Sequence, residues 1–383
     1  MTPVELAENA AHAIDREVAR AVHAGRDVLA MHVGDPDLET PAGIREAATR
    51  ALESGRTHYA PAQGYLRLRT AIVERWANRH HVPATADQVA VVSAKFAIYA
   101  SLRALVGPGD EVVFPDPSYF FEEPVRLAGA VPVRFPLRPD HGLDLDALEA
   151  ACTPRTRLIV LVSPGNPTGR LLKRDELRAA AEIARDHRAA MLSDEAYSEL
   201  VYDGTHIALA SVAPPGVPVV TVGSFSKTYA MSGWRAGFAI APTEVTERIV
   251  QVVEHTLTCI PPFVQDACRW ALEHGEADAG RILASLRERR DQLLGRLDDL
   301  PGISYQHPEG ALYVFPRFDL EMTSVDFARR ILAEESVAVA PGSAFGPHGE
   351  GHVRIAYALS PDRIDLAIGR LGSFLERHGG GRG

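Results

Sequence analysis

Cysteine is scarce: three residues, Cys152, Cys259 and Cys268, in a chain of 383. That is too few for a disulfide framework, and none sits in a CxxC or other metal-binding spacing. They read as ordinary core thiols of a reducing compartment. No run of about 18 uncharged apolar residues occurs, so no segment is expected to span a membrane. The opening MTPVELAENAAHAIDREVARAVHAGRD is charged throughout and lacks the apolar stretch of a signal peptide. No Lys/Arg-rich run stands out, and 40 basic against 50 acidic residues give a net charge of −10. That balance points away from nucleic acid and from anionic membrane surfaces. Repeats and low-complexity segments are also missing. The expectation is a soluble cytoplasmic protein with no metal site, its final HGGGRG a frayed end.

What is present is apolar residue in quantity, 46 % of the chain, enough for a large core. Residues 4–25 have apolar positions at helical spacing. The stretch LAMHVGDPDLETP then turns through Gly34 and Pro36. Beyond it, helical patterns alternate with the strand-like runs QVAVVS, EVVFPD, VPVRFP, RLIVLVS, AAMLSDE, VVTVGS and GFAIA. Several are nearly continuous Val/Ile/Leu runs, as suits strands buried on both faces. The predicted class is α/β: a large domain over residues 41–280 with a mostly parallel, doubly wound sheet covered by helices. From about Arg281 a long charged helix leads into GISYQ, ALYVFPRF, HVRIAYAL and a last helix. These suggest a smaller α+β domain over 281–383, with residues 1–40 as a segment packing against it.

In open α/β sheets ligands collect at the carboxyl ends of strands. After VVTVG comes Ser224-Phe225-Ser226-Lys227-Thr228. A lysine there is ordinarily a solvated surface residue. The SxxK nucleophile of penicillin-binding enzymes is a second reading, but SDN is absent and Lys227-Thr228 is not followed by glycine. A third is a lysine that condenses with an aldehyde, which needs burial or cationic neighbours to make an amine nucleophilic near neutral pH. Arg235, with the hydroxyls of Ser224 and Ser226, offers a phosphate clamp, since guanidinium binds phosphate through paired charge-assisted bonds. Asp194-Glu195-Ala196-Tyr197 follows AAMLS; alone it is a structural acidic pair. Beside a pyridine ring, Asp194 would keep the nitrogen protonated and Tyr197 would reach a phenolic oxygen. Ser163-Pro164-Gly165-Asn166-Pro167-Thr168-Gly169 reads as a turn closing a strand, and Asn166 offers a donor to the same oxygen.

SPGNPTG, SDEAY and SFSKTYAMSGWR, in this order, resemble the class I/II aminotransferases of the aspartate aminotransferase superfamily, fold-type I pyridoxal-phosphate enzymes. The resemblance runs from about residue 33 to the final helix. It implies pyridoxal 5′-phosphate as cofactor, Lys227 as its Schiff-base lysine and proton carrier, and Asp194 on the pyridine nitrogen. It also implies Asn166 and Tyr197 on the phenolic oxygen, with Ser224 and Arg235 on the phosphate. Ser93-Ala94-Lys95 resembles the phosphate-cradling turn, whose backbone N–H groups at Ala94 and Lys95 hold the anion. Ser93 stands where the family has glycine, and by itself the triplet is a helix N-cap. Tyr119 matches the aromatic stacked on the cofactor ring, though Tyr119, Phe120 and Phe121 also read as core. Tyr59 matches a tyrosine that reaches the phosphate of the partner subunit, implying a homodimer with shared sites. Arg354 matches the grip on the substrate carboxylate and equally suits a strand edge. Gly34 matches a close backbone approach to that carboxylate, or is a turn glycine.

The activity so implied is transfer of an amino group from an L-amino acid to a 2-oxo acid by a ping-pong route. C–S β-lyases and related α,β-elimination enzymes share these motifs and form the alternative. A ligand-sensing domain of a transcription factor is a third reading, opposed by the lack of a basic helix-turn-helix ahead of residue 33. Residues 249–268 contain neither Arg nor Lys, which argues against one form of aspartate side-chain recognition. There Ile260, Pro261, Pro262 and Phe263 offer an apolar side-chain pocket, or are core.

Overall fold

The computed structural model describes residue 6 and residues 8–379. Residues 4, 5 and 7 of the expected first helix, and 380–383 of the expected frayed tail, lie outside the described residues. The seven expected strands form one sheet: β1 Val89–Val91, β2 Glu111–Asp116, β3 Val131–Pro136, β4 Thr156–Val162, β5 Ala190–Asp194, β6 Val219–Ser224 and β7 Gly237–Ile240. Their order across the sheet is β1-β7-β6-β5-β4-β2-β3. The pairs among β2 to β6 are parallel, whereas β7 is antiparallel to both β6 and β1. The reason lies in the connection. Parallel neighbours need a crossover of a dozen or more residues, usually a helix. The link 225–236 contains only the single helical turn Ser232–Trp234, so the chain returns beside β6 in the opposite direction.

The continuous apolar runs serve two cores. Successive strand side chains point to opposite faces. Val112, Phe114, Leu158 and Val160 pack with Ile98 of helix Ala94–Leu105 and Ile249 of helix Thr243–Glu254. Val113, Ile159, Leu161 and Met191 pack on the other side with Leu177 of helix Arg174–Asp186. A strand buried on both faces cannot alternate with polar residues, which is why these runs read as they do.

The first helix runs Ala10–His23, started by Asn9, whose side chain accepts a hydrogen bond of 2.9 Å from Ala11 N. Its Ile14 and Val18 join Leu29 and Met31 in one core with Leu286, Phe327, Ile331 and Phe374. Leu29–Ala30 pairs in parallel with Val337–Ala338. The long charged helix spans Glu276–Leu297 and so crosses position 281 without a break. Tyr313–Val314, Val353–Ala356 and Ala340–Pro341 form a small antiparallel sheet. Among the described residues no helix is long and apolar enough to cross a membrane. All three cysteines are free, and Cys268 is core.

Leu29 is fully buried where the first residues meet the last third of the chain. Leu29→Ala is expected to cost about 2–5 kcal/mol, as a large-to-small change in a packed core does, and to lower the denaturation midpoint accordingly. An unchanged midpoint would show that this packing does not hold the segment.

Candidate active site

The polar clusters singled out in the sequence all leave strands at one edge of the sheet. β4, β5 and β6 are parallel, and β1 runs with them because two antiparallel pairings separate it from β6. Residues 93–95, 163–169, 194–197 and 224–228 therefore emerge together, at the carboxyl ends.

Lys227 bridges to the N-terminal segment: its Nζ donates to the carbonyl of Gly34 at 2.5 Å. Gly34 lies against Tyr313, where a Cβ would stand 1.9 Å from the phenol oxygen. Here only glycine fits. Tyr313 OH meets Tyr197 OH at 2.9 Å, and Asn166 Nδ2 donates to Tyr197 OH at 3.3 Å. The other end of the Asn166 amide accepts from Arg354 NH1 at 2.9 Å, while Arg354 NH2 donates to the carbonyl of His32 at 2.6 Å. Five side chains and two backbone carbonyls thus form one network, Lys227 joining it through the backbone of residues 32–34. Burial, with Tyr313 beside it, pushes the Tyr197 phenol well above its ordinary value.

Arg354 is buried and its guanidinium lies between two rings, 4.3 Å from the centroid of Tyr313 and 4.8 Å from that of Phe345. Its Nε is buried with no hydrogen-bond partner among the described residues. A buried cation with a spare donor suits a carboxylate, which takes two parallel N–H bonds.

Asp194 ends β5, is 5 % exposed and accepts from Ala196 N at 3.1 Å. Burial pushes its carboxyl up to about 6; the Ala196 N–H opposes this and the adjacent Glu195 adds to it. Such a carboxylate fits a partner that brings a positive charge, as a protonated ring nitrogen does.

The helix Ala94–Leu105 begins without a side-chain cap from Ser93, which leaves its first N–H groups to other acceptors. Gly237 faces that turn, and a Cβ there would stand 2.8 Å from Ala94 N. Burial first, and the Arg235 guanidinium second, lower the pKa of Lys95. Two cations beside a helix N-terminus form a cradle for a phosphate. Ser224 Oγ accepts from Ser226 N at 3.1 Å, and Arg235, exposed and at φ +56°, donates to Ser232 O at 2.6 Å.

Tyr119 stacks on Phe120 with centroids 5.1 Å apart, and Lys95 Nζ lies 6.0 Å from its ring. Tyr59 is 86 % exposed and stands apart from the network. Ile260 and Pro262 are buried core, whereas Pro261 and Phe263 line an open groove with Thr40 and Trp234. Sequence reasoning missed Tyr313, Phe345 and the carbonyl of His32. Tyr313 sits in the run ALYVFPRF and Phe345 in the helical turn Gly342–Phe345, and neither carries a motif of its own.

The chain matches the family model described as aminotransferase class I and II over residues 26–371. It is 36 % identical over 369 residues to an aspartate aminotransferase of Pyrococcus horikoshii, covering 94 % of each chain. It is 38 % identical over 363 residues to an arginine–pyruvate transaminase of Pseudomonas aeruginosa, covering 93 % of this chain and 92 % of that one. The solved structure of an aspartate aminotransferase from Thermus thermophilus with maleate superimposes with a TM-score of 0.91 at 34 % identity, over 97 % of this chain and all of the other.

Gly34→Ala must displace Tyr313 and with it the Tyr197 contact, and kcat/KM for amino transfer is expected to fall on the order of 10²-fold, as a misplacement of about 1 Å produces. Unchanged steady-state kinetics would mean that Tyr313 gives way without consequence. From the family match over most of its length, and from a fold shared throughout with a solved member, it follows that this chain belongs to the class I and II aminotransferases and is a transaminase acting on amino acids.

Proposed function

We propose that the enzyme uses pyridoxal 5′-phosphate, held through Lys227, to move an amino group from an L-amino acid to a 2-oxo acid by a ping-pong route. The observation that carries this reading is the convergence of Lys227, Asn166, Tyr197 and Arg354 in one hydrogen-bonded network beside Asp194. When bound, the cofactor supplies an electron sink for charge at the substrate α-carbon. Asp194 holds the ring nitrogen protonated, and Asn166 and Tyr197 hydrogen-bond the phenolic oxygen. The backbone N–H groups of Ala94 and Lys95, with Ser224 and Arg235, take the phosphate, and Tyr119 lies along the ring. Arg354 and Asn166 take the substrate carboxylate, and glycine at position 34 lets the backbone approach it closely. Lys227 Nζ removes the α-proton and returns it, acting as base and then as acid. The substrates are small-molecule amino acids and 2-oxo acids. The relatives reported above are all aminotransferases, which supports transamination over β-elimination.

We infer a homodimer in which Tyr59 of the partner subunit completes the phosphate site; the high exposure of this tyrosine supports a covering neighbour. Three free cysteines support a cytoplasmic location. Residues 41–280 act as the cofactor-binding domain and 281–383 as the small one, with 1–40 packed against it, a division supported by the shared core of Ile14, Leu29 and Phe374.

Two variants test the reading. Lys227→Ala is expected to abolish both the visible absorption band of the holoenzyme and amino transfer; a band that persists sinks the lysine assignment. Asp194→Ala is expected to retain part of the cofactor and lose most turnover, and full activity would refute its role at the ring nitrogen. Release of pyruvate and ammonia from cystathionine in place of amino transfer would favour the lyase.

A further inference from the structure

One residue beyond Asp194 lies a cluster that the chemistry above does not use. One ring nitrogen each from His80 and His206 and a carboxylate oxygen of Glu195 lie within 4.8 Å of one another. Glu195 and His206 are almost wholly enclosed, with side chains 2 % and 4 % exposed. His206 Nε2 and Glu195 Oε2 are 3.0 Å apart. The second carboxylate oxygen is fixed by Ser193 Oγ at 2.9 Å and Leu209 N at 3.2 Å. A carboxylate oriented in this way by outer hydrogen bonds is the arrangement that metal ligands show. His206 Nδ1, by contrast, is buried with no partner among the described residues. The His80 ring has no hydrogen-bond partner among the described residues either; it packs edge-on against His206 at 5.3 Å and beside Trp76 at 5.7 Å. A protein interior seldom leaves both nitrogens of one imidazole unmet, as at His80, and two histidines with a carboxylate form the donor set of a divalent transition-metal ion.

We propose that His80, Glu195 and His206 bind one divalent transition-metal ion, with zinc the best chemical fit. Bonds of about 2.0–2.2 Å place tetrahedral ligands roughly 3.4 Å apart, so the 3.0 Å pair is close to that spacing and the remaining ligand, within 4.8 Å, closes by at most about 1.4 Å. His80 can make that movement, because it is the last residue of the helix Leu66–His80 and only half-buried. A cavity of about 50 Å³ lined by His80, Trp76, Ser198, Glu199 and Thr228 borders the cluster at His80 and has room for a water as fourth ligand. The ion takes the place of the proton between His206 Nε2 and Glu195 Oε2, and that proton passes to Nδ1 of the same ring. Occupied, the site ties the end of the helix Leu66–His80 and the loop carrying His206 to the residue next to Asp194. Its role is structural, and it stands apart from the amino-transfer chemistry.

The test uses holoenzyme stripped with a chelator, desalted and titrated with Zn²⁺, then Co²⁺, by calorimetry and metal analysis. The wild type is expected to take up one ion per chain, and its thermal midpoint to rise with added Zn²⁺. His80→Phe keeps a ring beside Trp76 and is expected to weaken Zn²⁺ binding at least about tenfold, the loss that even outer partners of a metal ligand produce, while amino transfer without added metal stays at the wild-type rate. His206→Gln should do the same to binding. Absence of saturable binding in the wild type overturns the proposal and leaves a buried carboxylate–histidine pair with a stacked neighbour. Equal affinity in wild type and His80→Phe overturns it too, by moving the ion elsewhere. Neither outcome touches the assignment of Lys227, because the readout is metal uptake.

Discussion

A permanent positive charge inside a protein must be answered, and in this fold the answer organises the site. Arg354 is buried, and a guanidinium taken from water costs several kcal/mol unless paired or hydrogen-bonded. Its compensation comes from three parts of the chain. Asn166 at the end of β4 contributes an amide oxygen, His32 in the N-terminal segment a carbonyl, and Tyr313 and Phe345 two ring faces. Each partner is fixed in turn: Asn166 by Tyr197, Tyr313 by Tyr197 and by the space that Gly34 leaves. Accommodating one cation therefore sets the position of most groups around the reacting centre.

The sheet supplies the rigid side of this arrangement. Its inner parallel strands β2, β4 and β5 are buried on both faces, so their carboxyl ends are held without dependence on the loops that follow. Asp194 is the last residue of such a strand, which explains how a carboxylate can remain in a place that penalises its charge. Preorganisation of this kind means that little has to move when charge develops on a substrate. The N-terminal segment supplies the adaptable side, contributing backbone carbonyls rather than side chains to both Lys227 and Arg354.

Much of this was legible in the sequence, for physical reasons. Doubly buried strands must be apolar throughout, so several of the seven were visible as runs, and polar residues directly after such runs had to lie at the sheet edge. Lys227, Asp194, Asn166 and Tyr197 were found in that way. The reversed direction of β7 was not, because it depends on the link 225–236 holding a single helical turn, a matter of tertiary geometry. Tyr313 and Phe345 were missed since contact across the small sheet leaves no local pattern. His80, Glu195 and His206 come from widely separated positions, so no ligand spacing announced them. The long helix Glu276–Leu297 runs through position 281, where composition changes but the backbone does not.

The pairing of Leu29 with Val337 has a consequence for synthesis. The two partners are roughly 300 positions apart. At about 5–20 residues per second, the ribosome needs roughly 15–60 s to produce the second after the first. Throughout that interval Leu29 and Met31, both fully enclosed in the finished enzyme, have no native neighbours from the last third of the chain. The sheet can form behind them while they wait. During synthesis the apolar front end therefore waits for its covering partners far longer than the strands of the sheet wait for theirs.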